Sequence, residues 1–149
     1  MTNKELVLDT LRRSGKLIAA DLQNRSPDMT GTELNAEASY IPEFQTSVKK
    51  RNMLDRPAGF VCRSSTGRVV KLLQPYDSTI YIQEPEELPA QWSFVWSDDP
   101  AHARPFVAIS TSPYMAGNCC TENGTVYRSR ENNNVFPPSA YPAGWEVVA

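Results

Sequence analysis

The sequence predicts a mainly β chain with an α-helical N-terminus: short amphipathic helices followed by two small tandem antiparallel β modules. Three observations carry this. The first residues keep a helical apolar spacing, that period gives way after Pro42 to short β-prone pieces, and those pieces fall into two similar copies. Proline supports the second point. The 149 residues include 12 prolines, about 8% against the usual ~5%, and proline that dense shortens helices and favours loops.

The spacing of Leu6, Val7, Leu11, Ile18 and Leu22 predicts a helix over 2–24. Thr2 with Glu5 three residues on is a capping-box signature, and Ser14-Gly15 is a weak point that breaks the helix into two. Ser26-Pro27-Asp28 is a stop. Thr30-Gly31-Thr32-Glu33 is a second start, giving a short helix over 30–39 that Pro42 ends. Residues 1–40 form an N-terminal segment with little core of its own. It either docks on its own domain or serves as a self-association and anchoring element.

Six β-prone pieces follow, at 59–62, 68–73, 93–96, 106–109, 125–128 and 145–148. Ser65-Thr66-Gly67 and Glu122-Asn123-Gly124 are turn signals between them, and an Asn-Gly pair flanked by apolar pieces marks a hairpin. The pieces divide into modules at 41–98 and 99–149. The first holds Ala58-Gly59, Gly67, Val69-Val70 and Pro89-Ala90-Gln91-Trp92. The second holds Ala116-Gly117, Gly124, Val126-Tyr127 and Pro142-Ala143-Gly144-Trp145. The two glycines stand eight residues apart in the first copy and seven in the second. Each copy reads as a bend, a hairpin and a long polar loop. A closing tryptophan packs back over the sheet and supplies much of the apolar area that so small a sheet can bury. Trp92, Trp145 and Tyr127 are therefore core aromatics.

Composition and charge exclude several classes. Lys+Arg total 15 and Asp+Glu 17, a formal charge of −2, which argues against a protein held to nucleic acid by phosphate contacts. No run reaches the length of a membrane span or of a secretory signal core, so the expected setting is a cytoplasm or a particle assembled there. Cys62, Cys119 and Cys120 make a poor disulfide framework. With His102 the sole histidine there is no zinc spacing, and the cysteines read as reduced, packed side chains. No phosphate-binding glycine loop is present, and no cofactor or metal is expected. Asp98-Asp99 and Glu84, Glu86 and Glu87 lie in proline-containing loops and read as solvated acids rather than a glycosidase pair. His102 has no evident nucleophile partner, so an enzyme is not expected.

The residues Val70-Lys71-Leu72-Leu73-Gln74-Pro75-Tyr76 with Pro89-Ala90-Gln91-Trp92 in the first copy carry a likeness. So do Asn123-Gly124-Thr125-Val126-Tyr127-Arg128-Ser129, Phe136-Pro137-Pro138 and Tyr141-Pro142-Ala143-Gly144-Trp145 in the second. They resemble the small chitin-binding modules of bacterial chitinases. With Met29-Thr30-Gly31-Thr32-Glu33-Leu34 upstream, the arrangement over 28–149 is similar to small structural proteins of tailed bacteriophages. The resemblance implies a virion protein with other virion proteins and itself as partners, oligomerised through the N-terminal helices, and with a host-surface polysaccharide as ligand. It also implies an exposed aromatic, in the loop before the closing tryptophan, that stacks on sugar rings. The positions that match are Phe136 and Tyr81, with Tyr141 and Asn133 beside the former. Where the family more often has Trp, this chain has Phe or Tyr.

Overall fold

The computed structural model describes residues 2–149. It places a helical N-terminus before two sheets, and several boundaries differ from the sequence reading for physical reasons.

Helix α1 (Asn3–Arg25) is unbroken through Ser14-Gly15. Its capping box is formed: the Thr2 hydroxyl accepts from Glu5 N at 3.1 Å and the Glu5 carboxylate accepts from Thr2 N at 2.7 Å. Asp9–Arg13 and Asp21–Arg25 ion pairs, one turn apart, support the helix on either side of the glycine. Helix α2 (Gly31–Ala36) starts at Thr30 with a second capping box and is shorter than expected, because a separate 3-10 turn takes over at Ala38–Tyr40. Helix α3 (Phe44–Lys50) was not expected after Pro42. It buries Phe44, which meets Trp92 edge-on at 5.7 Å, so tertiary packing selects a seven-residue helix without a clear period.

The first sheet is an antiparallel meander of β1 (Val61–Arg63), β2 (Val69–Leu72) and β3 (Trp92–Phe94). The second has the order β4 (Arg104–Pro105), β5 (Cys119–Glu122), β6 (Thr125–Ser129), β7 (Trp145–Val147). Its last three strands repeat the meander, but β4 lies parallel to β5, so this sheet is mixed rather than purely antiparallel. The expected strand at 106–109 is absent. Pairing begins at Arg104 and ends as Phe106 N reaches Thr121 O at 2.9 Å, after which the chain leaves the edge as a loop.

The two meanders share their bonding away from the first hairpin tip, which is one residue longer in the first copy. Gly59 N donates to Leu72 O at 2.7 Å, as Gly117 N does to Ser129 O at 2.9 Å. Leu72 N bonds Phe60 O and Ser129 N bonds Asn118 O, each at 2.8 Å. Leu73 N bonds Gln91 O at 2.7 Å, and Arg130 N bonds Gly144 O at 2.8 Å. The glycines adopt like conformations, with φ of 94° at Gly59 and 98° at Gly117, then 82° at Gly67 and 80° at Gly124. These are left-handed values that an L side chain resists, which is why glycine recurs at both places.

One apolar core runs through both sheets. It joins Cys62, Val70, Leu72, Trp92 and Phe94 of the first to Cys120 and Trp145 of the second, bridged by Trp96 and Tyr114. The Trp96 and Tyr114 rings stack at 4.2 Å, and Tyr114 meets Trp145 edge-on at 5.3 Å. The opposite face of the first sheet, Val61 and Val69, is covered by Leu22, Leu34 and Ile41 from the helical segment. Tyr127 is half-buried against the larger core, while Trp92 and Trp145 are fully enclosed in it. No helix of the described residues is long and apolar enough to cross a membrane.

A buried cation ties the sheets together. Arg68, 6% exposed, donates to Pro105 O at 2.9 Å and Phe106 O at 3.3 Å while pairing with Glu86 at 2.9 Å. Glu86 also accepts from the Thr66 hydroxyl at 2.8 Å, and Glu84 accepts from Ser65 N at 2.8 Å and from the Gln45 amide. Glu84 and Glu86 are thus not solvated acids. They fasten the loop before β3 to the β1–β2 turn.

Candidate functional site

The loop joining β6 to β7 is organised around Asn134, which is buried. Its backbone exchanges two hydrogen bonds with Tyr114, at 2.9 and 2.8 Å. Its side-chain amide donates to Ser129 Oγ and Gly144 O, each at 3.2 Å, and its Oδ1 accepts from Phe136 N at 3.3 Å. Trp145 Nε1 donates to Phe136 O at 2.8 Å. The Phe136 backbone is therefore held from both sides, and its ring, 57% exposed, projects from a fixed base. Asn134 was not singled out by sequence. Three consecutive asparagines do not reveal which one turns inward.

Tyr141 lies against Phe136, with centroids 6.0 Å apart and planes at 80°. The edge contact means that the two rings do not make one flat platform. Tyr141 instead braces Phe136 from one side. The Tyr141 hydroxyl donates to Glu131 at 3.2 Å, and that hydrogen bond holds the phenol above its ordinary pKa. Asn133 is exposed, with φ of 58°, and its side-chain amide makes no hydrogen bond among the described residues. Asn132 instead completes the turn by accepting from Ala116 N at 3.0 Å. Phe136, Tyr141, Asn133 and Glu131 thus share one loop. They combine an apolar ring face with a carboxylate and a carboxamide, the groups that a pyranose's C–H face and hydroxyls engage.

Tyr81 stands apart. It lies in the corresponding loop of the first sheet, 53% exposed between exposed Ile80 and Ile82, with no ring contact to Phe136 or Tyr141. Asp77 shapes the turn beneath it. The Asp77 carbonyl accepts from Tyr81 N at 3.0 Å, and its carboxylate is bonded by Thr79 and Asn52, which holds its pKa below the usual value. The aromatic that the closing tryptophan uses in this copy is Tyr76, whose hydroxyl accepts from Trp92 Nε1 at 3.0 Å. Its signal in the sequence was the Gln74-Pro75-Tyr76 motif, although no role was read from it.

Two further polar candidates, Asp98 and Asp99, have structural partners. Asp98 accepts from the Asn118 amide at 2.8 Å, and Asp99 caps the turn at Ala101 N at 3.0 Å. All three cysteines are free and buried. Burial raises the thiol pKa values, that of Cys120 to about 12. No protein-family model, curated protein or solved structure matches this chain.

Proposed function

We propose that this chain is a non-enzymatic structural protein of a tailed-phage virion, a tail- or fibre-associated accessory whose β modules make weak, multivalent contacts with host-surface glycans. It needs no cofactor. Its partners are other virion proteins and further copies of itself, and neither nucleic acid nor a membrane is among them. The observation that carries this reading is Phe136: an apolar ring exposed on a backbone clamped by Trp145 and Asn134, with Glu131 and Asn133 within the same loop. A ring so presented loses little freedom on stacking, which favours sugar binding by a small site. Repetition on a particle then multiplies a weak affinity.

A second reading, a capsid decoration or tail-assembly protein whose modules bind protein, is favoured by a different observation. Leu6, Val7, Leu8, Leu11, Leu17 and Ile18 of α1 are all exposed. The two are separated by retention of the chain, displayed at high density, on insoluble host cell wall and on chitin. Glycan binding predicts retention that Phe136→Ala abolishes and Tyr81→Ala weakens. Absence of retention for every form supports the assembly reading.

A further inference from the structure

One face of α1 looks onto an open cleft. Arg12, Lys16, Ala19 and Gln23 follow one another at intervals of four, three and four, which places them along one side of the helix. They line a cleft of about 830 Å³ whose other wall comes from Tyr40, Pro42 and Glu43, from α3, and from Phe60 and Arg63. Gln23 fixes the spacing of the two walls, since its side-chain amide exchanges hydrogen bonds of 2.8 and 3.0 Å with the Val61 backbone. Gly15 and Ala19, one turn apart, present nothing larger than a methyl group to the cleft, and a Cβ at Gly15 would meet no atom within 4 Å.

The lining is basic although the chain is not. It holds Arg12, Lys16, Lys50 and Arg63 against one acid, Glu43, in a chain of formal charge −2. Glu43 stands 4.0 Å from Arg63, and Asp9, the acid nearest Arg12 in sequence, pairs with Arg13. Arg12, Lys16 and Lys50 have no ion-pair partner among the described residues. Between these cations the surface is carbon: Ala19, Ala20, Pro42 and the Tyr40 ring, which is 42% exposed.

We propose that the cleft receives an acidic amphipathic helix of a different protein, with its carboxylates on Arg12, Lys16 and Lys50 and its apolar side chains on Ala19, Ala20, Tyr40 and Pro42. An apolar helix without acids would cover three cations and leave them uncompensated. A phosphodiester or polyuronate strand would meet the cations but set polar groups against the alanine methyls and the proline ring. A helix that carries both groups satisfies both parts of the lining, and the small side chains of α1 let its axis come close. This chain does not hold such a segment itself. Over 3–13 of α1, Lys4, Arg12 and Arg13 outnumber Glu5 and Asp9, and Glu5 is taken up by its capping box. Helix α2 is one and a half turns long with Glu33 in its own capping box, and α3 ends in Lys49-Lys50.

The inference goes beyond the reading above by giving the chemistry of a protein partner. It does not depend on glycan binding and is read without sugar, so either can fail alone. The test uses the full chain and a fluorescein-labelled peptide of about 15 residues, long enough to be helical, with leucine along one face and glutamate along the other. Anisotropy is expected to show saturable binding that weakens as salt rises. Lys16→Glu and Lys50→Glu are each expected to weaken it about tenfold, while Lys4→Glu, the same charge change outside the cleft, leaves it unaltered. Gly15→Leu is expected to block binding by filling the cleft while raising helical circular dichroism, so the loss cannot be ascribed to unfolding. The same peptide with glutamine for glutamate, and an oligothymidylate as a polyanion without apolar side chains, should each bind at least about tenfold more weakly. Absence of saturable binding, equal binding of the glutamine peptide, equal or tighter binding of the oligothymidylate, binding that survives the charge reversals or Gly15→Leu, or equal weakening by Lys4→Glu would each overturn the proposal.

Discussion

Arg68 shows how much one residue carries here. Its guanidinium bonds the carbonyls of Pro105 and Phe106 and pairs with a largely buried Glu86, so it spans the two sheets. Removing one member of a buried pair leaves the other desolvated and uncompensated. Arg68→Ala is therefore expected to cost about 3–5 kcal/mol, read from the urea midpoint. Phe136→Ala, by contrast, removes an exposed ring and is expected to change stability by no more than about 0.5 kcal/mol, which makes it a clean probe of binding. The buried thiols supply a pH prediction. The Cys120 thiol is raised by burial from 9.0 to about 12, so its contribution is complete below pH 9.0 and is lost as pH rises towards about 12. Lys71 acts in the opposite sense, since burial lowers its pKa beneath 10.5 and the folded state gains as that ammonium deprotonates. The thiol effect is isolated by comparing urea midpoints at about pH 8 and about pH 10.5, where Cys120→Ala should show the smaller decline. At neutral pH none of the three thiols is expected to react with a disulfide reagent until the chain unfolds.

At the scale of elements, the repeated meander rests on paired backbone features. Gly59→Ala is a test of strain alone, since its Cβ would meet nothing within 4 Å yet φ is 94°. A loss of about 1–2 kcal/mol is expected there, and a similar loss for Gly117→Ala, where φ is 98° and the Cβ would meet Asp98 only in ordinary contact. The parts of this architecture that are local in origin were legible in the sequence. Both capping boxes form, the hairpin glycines adopt left-handed φ, and Trp92 and Trp145 occupy equivalent places. What was not legible depends on contacts distant in sequence. Helix α3 exists because Phe44 packs on Trp92, and β4 because the Arg104-Pro105 backbone finds the free edge of β5. The break expected at Ser14-Gly15 fails because the ion pairs on either side support a continuous helix. In the candidate site the exposed rings could be named from motif position. The inward turn of Asn134 and the Tyr141–Glu131 bond could not, because they arise only when the loop closes on Tyr114 and Trp145.

At the scale of the whole molecule, a single core shared by two similar sheets fits chains this small. A three-stranded sheet of short strands buries too little to stand alone, and stacking Trp96, Tyr114 and Phe106 between the two closes both. The sheets are therefore expected to unfold in one transition, with tryptophan fluorescence and far-ultraviolet circular dichroism giving the same midpoint. Phe136 and Tyr81 lie outside that core while Tyr76 and Leu88 of the Tyr81 loop are part of it, so the two exposed rings are free to serve recognition while the core holds their loops in place. The central claim, that the Phe136 loop stacks on sugar, is tested most directly by titrating the chain with chitin- and cell-wall-derived oligosaccharides while following ring resonances by NMR. The account predicts saturable shifts at Phe136 and Tyr141, static signals at Tyr76 and Trp92, and loss of the response in Phe136→Ala. Unmoved Phe136 resonances, or shifts that persist unchanged in Phe136→Ala, would contradict it.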